Sequence, residues 1–136
     1  MARILIHSDA ASDLEAIWDE DGHAAAAIGL LLTEAKSNPE ILDTFTCHGF
    51  GAYQDERYSV TRWVEQQQQG RNLWALKIWE LEPHYPKYRV IYAFHPQTHI
   101  HYVLGVFTRD FDYDERDART QRVLAVYARL GIPEYK

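Results

Sequence analysis

The side chains with the widest chemical range gather in residues 73–113. Lys77 and Arg89 lie in runs that read as strands, and the polar exit after a third run carries Arg109, Asp110, Asp112, Tyr113 and Asp114. A guanidinium can grip two phosphate oxygens at once, whereas an ammonium acts as a point charge. Against this, a cation on a strand beside an acidic helical part is often only an ion-pair partner, and the aspartates around Arg109 lower the local potential. Three histidines, His95, His99 and His101, sit close together across a turn and raise a metal reading. His99 and His101 share a strand face about 7 Å apart. Neither a nearby cysteine nor a carboxylate completes a ligand set, so no metal and no other cofactor is expected. Trp63, Trp74 and Trp79 could stack on nucleic-acid bases, although aromatics at strand spacing more often fill a core.

The elements that must position these groups follow from the patterning. Residues up to Glu80, Tyr88–Phe94 and Ile100–Phe107 are rich in β-branched and aromatic residues and are separated by proline-containing turns, which predicts a three-stranded meander. The middle run is apolar on both alternating faces, Val90, Tyr92 and Phe94 on one and Ile91 and Ala93 on the other. It is therefore expected to be a central strand covered by helices on at least one side. Ahead of the meander, Arg3–His7 reads as a strand. A helix follows to about Asp21, with Ser12 and Glu15 as a capping pair, and Gly22 ends it. A second helix covers His23–Lys36, stopped by Ser37-Asn38-Pro39, so the two form an N-terminal helical hairpin. Residues 40–57 read as a long loop over the sheet, Tyr58–Val64 as a strand, and Glu65 to Gly70, with its glutamine run, as a solvated hairpin tip. A last helix is expected from Asp114 to Leu130, closed by Gly131 and Pro133. The order β-α-α-β-β-β-β-α defines an α+β fold: an antiparallel sheet with an N-terminal helical hairpin and a C-terminal helix.

The chain has 136 residues, which suits a single domain over residues 1–136. A single cysteine, Cys47, excludes an intramolecular disulfide and a multi-cysteine zinc site and points to a reducing cytoplasm. The apolar run after Arg3 is too short for a leader, and no stretch is long enough to span a bilayer, so no membrane partner is expected. Net charge is −6, unevenly spread. Residues 1–56 hold two basic side chains against eleven acidic ones, and residues 57–136 hold twelve basic against nine acidic. A polyanion would meet the second part, although solvated helix faces alone can produce such a contrast.

Three segments carry a resemblance to a known family: Leu73-Trp74-Ala75-Leu76-Lys77-Ile78, Tyr88-Arg89-Val90-Ile91-Tyr92-Ala93-Phe94, and Leu104-Gly105-Val106-Phe107-Thr108-Arg109. In order and spacing they resemble the strands of the RelE/ParE superfamily of bacterial type II toxins, and the N-terminal strand and helices fit the same layout. The resemblance covers most of the chain and leaves out residues 40–57. It implies a small toxin held by a cognate antitoxin protein. In the RelE-like branch the activity is an mRNA interferase, an RNA-binding endoribonuclease that inhibits translation by cutting mRNA on the ribosome. The ParE-like branch instead poisons DNA gyrase, and a catalytically silent interaction domain of the same fold is a third possibility.

The RelE-like reading implies a metal-independent reaction in which a 2′-hydroxyl attacks the adjacent phosphate. That needs a base, an acid and fixed positive charge on the phosphorane. On the family's pattern Arg89 matches the arginine that opens the second meander strand, Arg109 the basic residue after the third, and Lys77 a lysine of the first. Tyr113 takes the place of a tyrosine near the last helix that stacks on a base or transfers a proton. The pattern departs at Trp79, where lysine-using members carry a second lysine. Other members use a glutamate or histidine pair, which casts Glu80 as base and His84 as acid.

Overall fold

The computed structural model describes residues 2–53, 56–79 and 88–136. Glu80 and His84, named above as base and acid, lie outside the described residues. Those described form β1 (Arg3–Ile6), α1 (Ser8–Glu20), α2 (Gly22–Ser37), α3 (Pro39–Asp43), a 3-10 turn (Thr44–Thr46), β2 (Tyr58–Arg62), α4 (Val64–Gln68), β3 (Leu73–Ile78), β4 (Tyr88–His95), β5 (Ile100–Thr108) and α5 (Ala118–Tyr127). The class is α+β. No helix among the described residues is long and apolar enough to cross a membrane.

The five strands make one sheet in the order β1-β5-β4-β3-β2. β2 through β5 pair antiparallel, but β1 runs parallel to β5, with Arg3 opposite Ile100 and Ile6 opposite Val103. The sheet is therefore mixed, which corrects the antiparallel expectation. Strand composition carries no sense of direction, and the partner of β1 lies almost a whole chain away. β4 is central, as its two apolar faces require. Val90 and Tyr92 pack into a core with Ile4, Ile28, Leu31, Leu32 and Phe45, while Ile91 and Ala93 pack into a second core with Trp63, Leu73, Leu104, Val123 and Val126. Helices thus lie against both faces: α1, α2 and α3 on one and α5 on the other.

Several local expectations change in the folded chain. α1 begins at Ser8 and is capped not by Ser12 but by His7, whose Nδ1 accepts from the Asp9 amide at 3.0 Å. Gly22 opens α2 instead of closing α1. Asp21 alone separates the two helices, and its carboxylate accepts from the Ala24 amide at 3.1 Å. Residues 40–57 are not simply a loop, because α3 and the 3-10 turn bury Leu42 and Phe45 in the first core. The Tyr92 hydroxyl donates to the Phe45 carbonyl at 2.6 Å and so ties that segment to the central strand. The glutamine run is not a solvated tip either. Val64–Gln68 is helical, Gln66 and Gln67 are buried, and Gln67 Nε2 donates to the Leu73 carbonyl at 3.0 Å. Burial of those amides is possible because they find partners: Gln66 accepts from Arg71 at 2.8 Å and donates to Glu115 at 3.4 Å, and Gln67 donates to Leu73.

Two features hold the end of β5. β1 pairs only as far as Val103, and past that point the Val106 amide donates to Asp13 Oδ2 of α1 at 2.9 Å. The same carboxylate receives both terminal nitrogens of Arg122 from α5, at 3.0 and 2.6 Å. One side chain therefore satisfies a strand edge and joins helices from opposite faces. Asp13→Ala is expected to cost about 2 kcal/mol, the range of a hydrogen bond to a charged group together with a stranded donor. Urea denaturation of Asp13→Ala beside the parent protein measures it. Gly105, the second feature, stands where a Cβ would lie 2.4 Å from Phe107 Cζ and 3.0 Å from Arg122 Nη2. Gly105→Ala must displace that ring and is expected to lose about 2 kcal/mol by overpacking, seen as a lower Tm with no change in the β-sheet signal at room temperature.

Candidate active site

Lys77 and Arg89 are direct partners across the β3–β4 ladder. Alternation along each strand puts them on the side of Ala75 and Ile91, the face that α5 covers. Directly opposed side chains on antiparallel strands have Cβ atoms about 5 Å apart, and like charges so placed repel each other. Two cations held in this position are a liability for folding and an asset for holding an anion. Both are half-buried.

Tyr113 joins them from the chain that follows β5. Its ring packs on Phe111 at 4.8 Å between centroids and edge-on against the buried Trp63 at 5.4 Å. Arg89 lies near its hydroxyl, and Arg89 Nη1 donates to the Tyr88 carbonyl at 3.2 Å. Burial pushes the phenol above its ordinary value, partly opposed by the charge of Arg89, so Tyr113 keeps its proton at neutral pH. The residue has φ +66°, a left-handed conformation that costs a non-glycine residue roughly 1–3 kcal/mol and persists only where its surroundings hold it. Lys77 and Tyr113 line one cleft of about 280 Å³ together with Thr61, Trp63, Glu65 and Asp112. Tyr113, Glu65 and Asp112 also line an adjoining cleft of about 530 Å³, with Gln68, Gln69, Asp114 and Glu115.

Lys77 and Arg89 thus face each other on the ladder and Lys77 shares a cleft with Tyr113, while Arg89 itself lines neither cleft. Arg109 stands one residue past β5 on an exposed turn and does not line either cleft. The aspartates around it are largely engaged. Asp110 accepts from the Thr108 hydroxyl and pairs with Arg119 at 3.3 Å, Asp114 pairs with Arg116 at 3.0 Å, and Asp117 pairs with Arg119 at 2.8 Å. These contacts hold the carboxyls of Asp110, Asp114 and Asp117 below their usual range. The acidic exit is therefore a set of turns closed by local arginines. Asp117, not Asp114, caps the last helix, and its carboxylate accepts from the Arg119 amide at 2.8 Å.

Other candidates have structural work. Trp63 and Trp74 are buried, and Trp79 Nε1 donates to the Gly51 carbonyl at 2.8 Å, so these three are not the exposed stacking platforms considered above. The exposed tryptophan is Trp18 on α1. His101 is buried between aromatic rings, and the described residues contain no group of three potential metal ligands. Sequence reasoning did not place Glu65 or Asp112 near Lys77, a proximity that arises only on folding, and it missed Arg119. The signal for Arg119 was local: an aspartate two residues ahead is the spacing of a helix cap. No family model matches the chain, and no curated protein or solved structure matches it significantly.

Proposed function

We propose that the protein is a RelE-like endoribonuclease, the toxin of a type II toxin–antitoxin pair, which cuts mRNA on the ribosome without a metal ion. The observation that carries the proposal is the convergence of a guanidinium, an ammonium and a protonated phenol at one end of the sheet, Arg89, Lys77 and Tyr113. In this reading Arg89 forks onto the non-bridging oxygens of the scissile phosphate and Lys77 adds charge beside it. As the 2′-oxygen closes on phosphorus, negative charge grows on those oxygens and both cations bind the transition state more tightly than the ground state. Tyr113, neutral and near Arg89, donates its proton toward the developing charge or stacks on a flanking base. Glu80 and His84 complete the acid–base pair that the resemblance implies, and Arg109 contacts the neighbouring phosphate from the exit turn.

An mRNA substrate implies a cytoplasmic site of action, and an antitoxin would have to cover this cleft. Val64, which is exposed and lines the cleft, would serve as one of its apolar anchors. The test adds the protein to a translating extract and maps transcript ends. New 5′-hydroxyl ends with arrested translation are expected, since attack by the 2′-oxygen leaves a 2′,3′-cyclic phosphate on one side and a hydroxyl on the other. Intact transcripts and normal translation would overturn the proposal. Intact transcripts with inhibited supercoiling would favour the ParE-like alternative, and antitoxin binding with no effect on growth would favour the silent interaction domain.

A further inference from the structure

We infer that Arg119 is the positioning residue of this site, the clamp that holds the segment from Thr108 to Asp117 so that Tyr113 stands beside Lys77 and Arg89. The inference rests on the functional reading above for its link to RNA cleavage, but its geometry stands independently. Arg119 lies in the first turn of α5 and reaches back over the loop that precedes it. Its Nε and Nη2 donate to Asp117 at 3.1 and 2.8 Å, and its Nη1 and Nη2 meet Asp110 at 3.3 and 3.5 Å. Nη1 also lies 3.4 Å from the Thr108 hydroxyl, at the last residue of β5. The guanidinium carbon sits 5.2 Å from the ring centre of Phe111 and 5.8 Å from that of Phe107. One planar cation therefore grips both ends of the exit loop and packs over its apolar middle.

What lies inside that grip is Tyr113, in a backbone conformation that must be held from outside. Phe111, under the guanidinium, is the ring on which Tyr113 packs at 4.8 Å. The chain of contact is short: Arg119 fixes Phe111 and Asp110, and Phe111 fixes Tyr113. The Tyr113 hydroxyl then meets Arg89. A lysine could neutralise Asp110 or Asp117 but could not fork onto both while stacking on a ring. Arg119 also occupies two carboxylates that would otherwise repel a phosphate arriving at the turn, and the two roles predict different rescues.

The experiment compares Arg119→Met, Arg119→Lys and Arg119→Met combined with Asp110→Asn. One readout is RNA cleavage. The other is the ultraviolet titration of Tyr113, isolated by subtracting the same titration in a Tyr113→Phe background. If Arg119 positions the loop, Arg119→Met lowers the cleavage rate about 100-fold, the cost of a small misplacement of a reacting group. The Tyr113 titration then falls toward the ordinary tyrosine value of about 10. Arg119→Lys recovers little of either, and removing the Asp110 charge does not restore the rate. A rate restored by Asp110→Asn would overturn the inference in favour of charge masking. An unmoved Tyr113 titration in folded Arg119→Met would overturn it outright. If Arg119→Met fails to fold, Arg119→Lys carries the same two readouts. Absence of cleavage by the parent protein would refute the ribonuclease reading alone, because the titration still decides the clamp.

Discussion

Arg89→Ala is expected to relieve growth arrest and to slow RNA cleavage by about 100- to 1000-fold, the usual consequence of removing a preorganised group from developing charge. The fold should survive. The backbone of Arg89 keeps its ladder partners Lys77 and Phe107, its side chain is half-buried, and the substitution removes a like charge from directly opposite Lys77. The change in stability is therefore expected to stay within about 1 kcal/mol. Arg89→Lys separates charge from geometry: it should recover only part of the rate, because an ammonium cannot fork onto two oxygens. The measurement is single-turnover cleavage beside thermal unfolding. A folded Arg89→Ala protein that cuts RNA at the parent rate would remove Arg89 from the mechanism. Loss of both fold and activity would recast it as a structural residue.

Stability is expected to fall by about 3 kcal/mol as pH drops from about 6.5 to about 4, because of one histidine. His101 faces Phe94 across β4 and β5, with ring centres 4.6 Å apart, and Phe45 stands edge-on at 6.1 Å. Its Nδ1 lies 3.3 Å from the Arg3 carbonyl, while its Nε2 is buried with no partner among the described residues. Burial lowers its pKa to about 4, against a smaller opposing effect of the Arg3 carbonyl and of Asp43, with His99 adding to the depression. The unfolded chain titrates this group at about 6.5. Between these two values the unfolded state binds the extra proton and the native state does not, so acid favours unfolding. The contribution is full above about 6.5, shrinks as pH falls, and stops changing below about 4, where both states are protonated. The exit-loop carboxylates, whose values are depressed, weaken the fold only at still lower pH. Urea midpoints of the parent and of His101→Phe at pH 7.5 and 4.5 test this. The variant, whose ring suits the aromatic pocket, should lose little over that interval. Equal losses in both proteins would refute the assignment.

Local patterning made much of the architecture legible. The double-sided apolar run of residues 88–94 identified the central strand, and the first helix was legible although its start was not. Boundaries failed where a cap came from an unexpected residue, as at His7, Asp21 and Asp117. The glutamine run misled because polarity was read as exposure: Gln66 and Gln67 are buried through hydrogen bonds made by their own connection and by Glu115. The sheet tryptophans followed the commoner pattern for aromatics at strand spacing, with Trp63 and Trp74 buried in the core.

The sequence by itself determined the α+β class, the central strand and the identity of the cations, because periodicity and residue type are local properties. Tertiary structure alone decided that β1 joins the sheet in parallel, that Asp13 closes the edge of β5, and that Lys77 faces Arg89 with Tyr113 beside them. Those facts depend on strand register and on how a loop is held. Both arise from contacts between residues far apart in the chain, which no short window of sequence contains.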